Sequence, residues 1–222
     1  GATVAGTNPE SYTVDSADIN IINPEKLGYE FLGWKHDGAQ NPEKDLVIAH
    51  GSTGNKVLTA QWREVEYTIN YQLNGGTVSG TNPESYNIES ATIIIVNPTK
   101  AGYVFTGWSG TDITGLTSNI TITKGSTGNR EYTANWDTAP YTINYTGLPS
   151  DAVDIQGLPR SYTASSAVTI PNPIMAGYNF TGWTGTGLEG KTQEVTISQG
   201  STGERTYEAN WTPAEVAYTV KH

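Results

Sequence analysis

The 222-residue chain contains no cysteine. Neither a disulfide nor a thiolate metal site can therefore staple its fold. No apolar run approaches the ~18 residues of a membrane span, so membrane insertion by a helix is not expected. A signal peptide is also missing. Basic residues are scarce: 12 Lys and Arg face 22 Asp and Glu, for a net charge of −10 and a pI near 4.6. That balance argues against nucleic acid and against anionic membrane surfaces as partners. The acidity is spread along the chain, at −5 for residues 1–66, −2 for 67–140 and −3 for 141–222. It reads as a solubility feature rather than an acidic tail.

Aromatics and glycine are what the chain has in quantity, with 13 Tyr, 6 Trp and 25 Gly. They recur with a period. Ala101-Gly102-Tyr103-Val104-Phe105-Thr106-Gly107-Trp108 returns as Leu27–Trp34 and as Ala176–Trp183, with the tryptophans 74 and 75 residues apart. Gly, Tyr, Phe, Gly and Trp keep their places while the residues between them vary. A fixed internal period sets the unit of folding. The units are residues 1–66, 67–140 and 141–217, and 218–222 restart the first strand of a further copy. Because the chain opens inside a repeat, it is expected to be a fragment or processed form, and the missing signal then carries no information.

A module of about 74 residues lies near the lower limit for a single unstapled core. Each has two tryptophans, always 28 residues apart. Burying one removes roughly 200 Å² of surface, an upper-bound gain of about 5 kcal/mol at ~25 cal/mol/Å². That burial is a plausible replacement for a staple.

Strand signatures run through each copy. Tyr67-Thr68-Ile69-Asn70-Tyr71 alternates apolar and polar residues, and Asn74-Gly75-Gly76 reads as a turn. Ala91–Val96 is β-branched and ends at Asn97-Pro98. The five residues after this break have room for one helical turn at most. The octet reads as a strand with Tyr103 and Phe105 on one face, bent at Gly107 before Trp108. Asn119–Thr123 alternates again, Gly125-Ser126-Thr127-Gly128 turns, and Arg130–Trp136 closes the module with Tyr132, Ala134 and Trp136 on one face. Copy one lacks any counterpart of Tyr67–Asn74. Linkers of four to six residues (63–66, 137–140, 212–217) predict a semi-rigid, elongated array.

The pattern in Tyr67–Gly76, Pro98–Trp108 and Tyr132–Trp136 resembles the Listeria–Bacteroides repeat, the internalin B-repeat type, and covers essentially the whole chain. The resemblance implies a β-grasp-like module: mainly β, or α+β with at most a short helix per repeat. It also implies tandem occurrence in bacterial surface and secreted proteins, as a stalk or auxiliary adhesive module, without catalytic residues to carry over. Copy three departs from the pattern at Thr146–Pro159.

Candidate sites are few. Trp34, Trp108, Trp183 and Trp62, Trp136, Trp211 suggest either a glycan platform or a core; their constant spacing favours the core. Tyr12, Tyr86 and Tyr162 are assigned there as well. His36, His50 and His222 do not recur between copies, and a zinc site needs convergent ligands. Asp15, Asp18, Asp112, Asp151 and Asp154 lack the spacing of a calcium loop. Lys26 and Lys100 are matched by Met175, which excludes a lysine crosslink common to all copies there. No Ser/His/Asp set, phosphate loop or paired carboxylates recur, so no enzyme, cofactor or metal is expected, and the ligand-binding residues are unknown.

The leading expectation is a spacer or stalk of a bacterial cell-surface or secreted protein, of the adhesin or cell-wall kind. One alternative is an adhesive module that recognises host protein or glycan through the variable loops 35–50 and 109–118. Another is a filament subunit. Tyr218, Thr219 and Val220 begin the strand that copy one lacks, so the tail is expected to pair with its own preceding module or, head to tail, with copy one of the next molecule.

Overall fold

A computed structural model describes residues 1–36, 38–148, 157–215 and 217–220. Among these the architecture is all β, without an α-helix. Two compact units emerge, and their division falls within copy two: Gly1–Gln72, Gly80–Val96 and Trp108–Thr133 form one, and Leu73–Ser79, Asn97–Gly107 and Ala134–His222 the other.

Copy three, in the second unit, shows the plan most completely. Its opening strand Pro140–Thr146 pairs antiparallel with Ser161–Thr163 on one side and parallel with the closing strand Arg205–Pro213 on the other. The octet strand Tyr178–Gly185 then pairs antiparallel with the closing strand. Opening and closing strands therefore lie side by side at the sheet centre. A separate ribbon, Val168–Ile170 with Val195–Ile197, covers the face. Period-two alternation turns Ile143, Tyr162, Ile170, Trp183, Val195 and Tyr207 into one core. Copy two has the same strand order in its four-stranded sheet, and Ile69, Tyr86, Trp108 and Tyr132 are buried.

The Asn-Pro break does not open a helical turn. Pro24–Glu25 and Pro98–Thr99 are instead short strands paired with Thr3–Val4 and Thr77–Val78. Proline tolerates such an edge position because its missing N–H is not needed there. The Asn of the Gly-Thr-Asn-Pro-Glu-Ser-Tyr heptad also has a role not apparent in sequence. Buried Asn82 donates from Nδ2 to Val96 O (3.0 Å) and accepts from Val96 N at Oδ1 (2.8 Å), and Asn8 repeats both bonds with Ile22. Copy three has buried Leu158 at this position, an apolar solution to the same space.

The bend inside the octet is a β-bulge, between Phe31 and Gly33 and between Phe180 and Gly182. It turns the strand so that the variable loop folds back across the tryptophan. Trp183 N donates to Thr192 O (2.8 Å) and Thr192 N to Trp183 O (2.9 Å), and Trp34 with Glu43 and Trp108 with Thr117 do likewise. A Cβ on Gly182, at φ +129°, would lie 2.9 Å from Thr192 N. Only glycine admits that approach.

Copy one is thinner. Its octet strand Tyr29–Lys35 pairs with Thr59–Glu64 in a two-stranded sheet among the described residues. Ile21 and Leu46 are its buried hydrophobics among the described residues, and neither is fully sealed.

Candidate functional site

The tryptophans divide by position. Trp108 and Trp183 are 0 % exposed, which places the octet tryptophan in the core. The closing tryptophans are half-buried and pack edge-on against the octet phenylalanine, at 5.2 Å for Phe31–Trp62, 5.4 Å for Phe105–Trp136 and 5.3 Å for Phe180–Trp211. Trp136 Nε1 donates to Leu73 O (3.1 Å) and Trp211 Nε1 to Gly147 O (2.8 Å), so each also clamps the end of its opening strand. These contacts leave them anchored at one edge rather than displayed as a flat platform.

Tyr86 and Tyr162 are core residues with a polar task. Their hydroxyls donate to Gly128 O and Gly203 O, both at 2.5 Å, and Tyr12 does the same to Gly54 O. The repeated Gly-Ser-Thr-Gly turn is thus the acceptor of a buried phenol. Arg130 and Arg205 donate from Nε back to those hydroxyls at 3.1 Å.

Tyr71 and Tyr145 lean on the octet tryptophan, at 6.1 Å from Trp108 and 5.4 Å from Trp183, and donate to Pro83 O and Pro159 O. Desolvation pushes both phenols up from 10.0 to about 12. A folded-state value above the unfolded one gives stability that is complete below pH ~10 and is lost as pH rises through about 12. Thermal melts followed by circular dichroism should therefore hold steady up to pH ~10 and fall steeply between there and ~12.

The polar candidates are scattered. His36 faces Glu43 at 3.6 Å, and His50 Nδ1 contacts Ser16 O at 3.0 Å. Asp18 accepts from His50 N (2.7 Å), Asp112 pairs with Arg130, and Asp15 is exposed. His222, Asp151 and Asp154 lie outside the described residues. Among the described residues no three His, Cys, Asp or Glu gather where they could hold a metal ion. Lys100 Nζ donates to Asn74 O (2.9 Å) and sits 4.1 Å over the Tyr103 ring, while Lys26 sits 3.4 Å over Tyr29. Met175 is buried in their place.

The first half of the octet forms a junction. A Cβ on Gly28 would lie 2.6 Å from Ile88 of copy two, and one on Gly102 would lie 2.6 Å from Ala164 of copy three. Ile88 and Ala164 hold the same place in their copies, two residues after Tyr86 and Tyr162. Tyr29 donates to Glu89, which pushes the phenol up to about 12 and lowers the carboxyl, and Lys124 pairs with Glu89 at 3.3 Å. Each linker returns to the same glycine: Val65 N to Gly28 O (3.0 Å), Ala139 N to Gly102 O (3.0 Å) and Ala214 N to Gly177 O (2.8 Å). Tyr29 and Tyr103 are half-buried.

A groove of about 750 Å³ lies in copy one, lined by Tyr12, Ile19, Ile21, Trp34, Ile48 and Leu58, among others. Their counterparts in copy two are Tyr86, Ile93, Ile95, Trp108, Ile122 and Tyr132, the residues around an opening strand. Tyr218, Thr219 and Val220 are exposed and lie outside any strand.

With repeat, strand order and core established, the family follows. The model of the Listeria-Bacteroides repeat domain matches residues 1–61, 67–135 and 141–210. The chain belongs to that family, in three tandem copies. It is also similar to two proteins of Evansella cellulosilytica. One, named "Putative membrane protein", is 28 % identical over 165 residues, which is 73 % of this chain and 24 % of that protein. The other, named "Putative Gly-rich membrane protein", is 28 % identical over 167 residues, 73 % of this chain and 18 % of that protein. The chain thus spans a quarter or less of these relatives' length. No solved structure matches. No helix among the described residues is long and apolar enough to cross a membrane.

Proposed function

We propose that the chain is a spacer array, three β-grasp-like modules end to end, in the stalk of a bacterial cell-surface protein, and that it performs no catalysis. The observation that carries this reading is where the repeated residues go. Phe and Trp of the octet serve the core, Gly28, Gly102 and Tyr29 serve the contact with the following copy, and the closing Trp136 and Trp211 clamp the strand end. The repeated aromatics of the octet and the closing strand thus have structural contacts. The central, parallel pair of opening and closing strands supports the β-grasp-like form. The long relatives named as membrane proteins support a surface setting. An adhesive module would need an exposed apolar or aromatic patch in a variable loop. The loops at 35–50 and 109–118 contain no Phe, Tyr or Trp, and among their described residues the exposed large apolar side chains are Val47 and Leu116, one in each loop.

Small-angle scattering of the monomeric chain tests the spacer reading. A compact 222-residue domain has a radius of gyration of about 17 Å. A semi-rigid array should give a clearly larger value, and a value near the compact one would refute it.

A further inference from the structure

We infer that Arg205 of copy three is a docking point for a carboxylate, and that its occupant is an aspartate side chain of a partner polypeptide. The inference goes beyond the spacer reading, which needs no ligand.

Copies two and three build the same seat for a guanidinium. Arg130 donates from Nε to the Tyr86 hydroxyl at 3.1 Å and from Nη2 to Thr127 O at 3.4 Å. Arg205 donates from Nε to the Tyr162 hydroxyl at 3.1 Å and from Nη2 to Thr202 O at 3.4 Å. Both arginines are half-buried. Each fork is thus held in place by two bonds from its own module.

The turn beside the seat is the same as well. Thr111 N and Thr186 N donate to Glu131 O and Thr206 O, both at 3.0 Å. Their hydroxyls accept from Glu131 N (2.9 Å) and Thr206 N (3.0 Å). Ile113 N and Leu188 N then close the turn on Gly110 O and Gly185 O, at 3.2 and 3.1 Å. The residue between is Asp112 in copy two and Gly187 in copy three, both left-handed, at φ +59° and +75°.

Here the copies part. The Asp112 carboxylate meets Arg130 Nη1 and closes the fork. Gly187 has no side chain to do so, yet a Cβ added to it would lie 3.7 Å from Arg205 Nη1. Among the described residues no acid forms an ion pair with Arg205. A carboxylate brought by another chain can therefore take the place that Asp112 takes in copy two. Burial has cost the fork part of its hydration, and a carboxylate returns it as a charge-assisted bond, roughly twice as strong as a neutral one. The precedent is an aspartyl group on a polypeptide, which favours a protein partner over an acidic glycan.

The test follows the Nε–Hε resonances of Arg130 and Arg205 by NMR. N-acetyl-aspartate amide is titrated into the intact chain at constant ionic strength. Arg205 should respond saturably, and Arg130, already paired, at least about tenfold more weakly. N-acetyl-asparagine amide should move neither. Aspartate tolerates a left-handed backbone, so Gly187→Asp rebuilds the internal pair, and the Arg205 response should fall at least about tenfold. The converse variant, Asp112→Gly, should give Arg130 the response that Arg205 has in the native chain. It decides the matter if Gly187→Asp fails to fold. An Arg205 resonance that ignores the aspartyl probe overturns the inference. So does a response that survives in folded Gly187→Asp, or an Arg130 still silent in Asp112→Gly. Glucuronate bound at least about tenfold tighter than the aspartyl probe overturns the assignment to a polypeptide. None of these outcomes alters the scattering result, so the spacer reading is judged separately.

Discussion

Trp108→Ala is expected to destabilise copy two by about 3–5 kcal/mol, the range for emptying a large aromatic site in a core that cannot collapse. Trp108 is 0 % exposed, flanked by Tyr71 and Tyr132 at ring distances of 6.1 and 6.5 Å, and capped by the loop bridge to Thr117. For a module of this size that loss rivals the whole stability, because small domains keep only a narrow surplus. Trp34→Ala should cost clearly less, since Trp34 already borders the open groove and forfeits fewer contacts. Urea unfolding of the two variants measures the difference. Equal losses would mean that copy one is sealed in solution.

Gly185→Ala is the second large effect. Gly185 has φ +139°, and a Cβ there would sit 2.1 Å from Thr206 O on the neighbouring strand. Left-handed strain costs an alanine about 1–3 kcal/mol, and the backbone clash must separate two paired strands as well. The expected loss is about 3 kcal/mol or more, read as a lower denaturation midpoint. Gly190→Ala is the control: no atom lies within 4 Å of a Cβ there and its φ is ordinary, so its midpoint should barely move.

Much of this fold could be read from the chain. The octet's spacing located the units, constant spacing assigned Trp108 to the core, and alternation put Tyr132 and Ala134 on one face; all three are buried. Gly102 and Tyr103 were not legible for one reason. In a repeat, a residue kept for the core and a residue kept for the next copy look alike. Gly102 and Tyr103 therefore passed as part of a core strand, although Gly102 is kept bare for Ala164. Asn82 escaped differently. Followed by proline it reads as a turn residue, and its paired bonds to Val96 need a partner 14 residues away. Gly185 and Gly110 share a Trp-x-Gly spacing that His36 breaks in copy one, so two copies showed a rule and the third concealed it.

The central claim is that the repeated octet tryptophan is an interior residue, and acrylamide quenching of tryptophan fluorescence tests it most directly. Two of the six tryptophans, Trp108 and Trp183, are fully buried, and the other four are partly open. The intact chain should give a downward-curving Stern–Volmer plot, with a blue-shifted fraction resistant to quencher. A straight plot with all six tryptophans equally accessible would place the octet tryptophan at the surface and contradict the account.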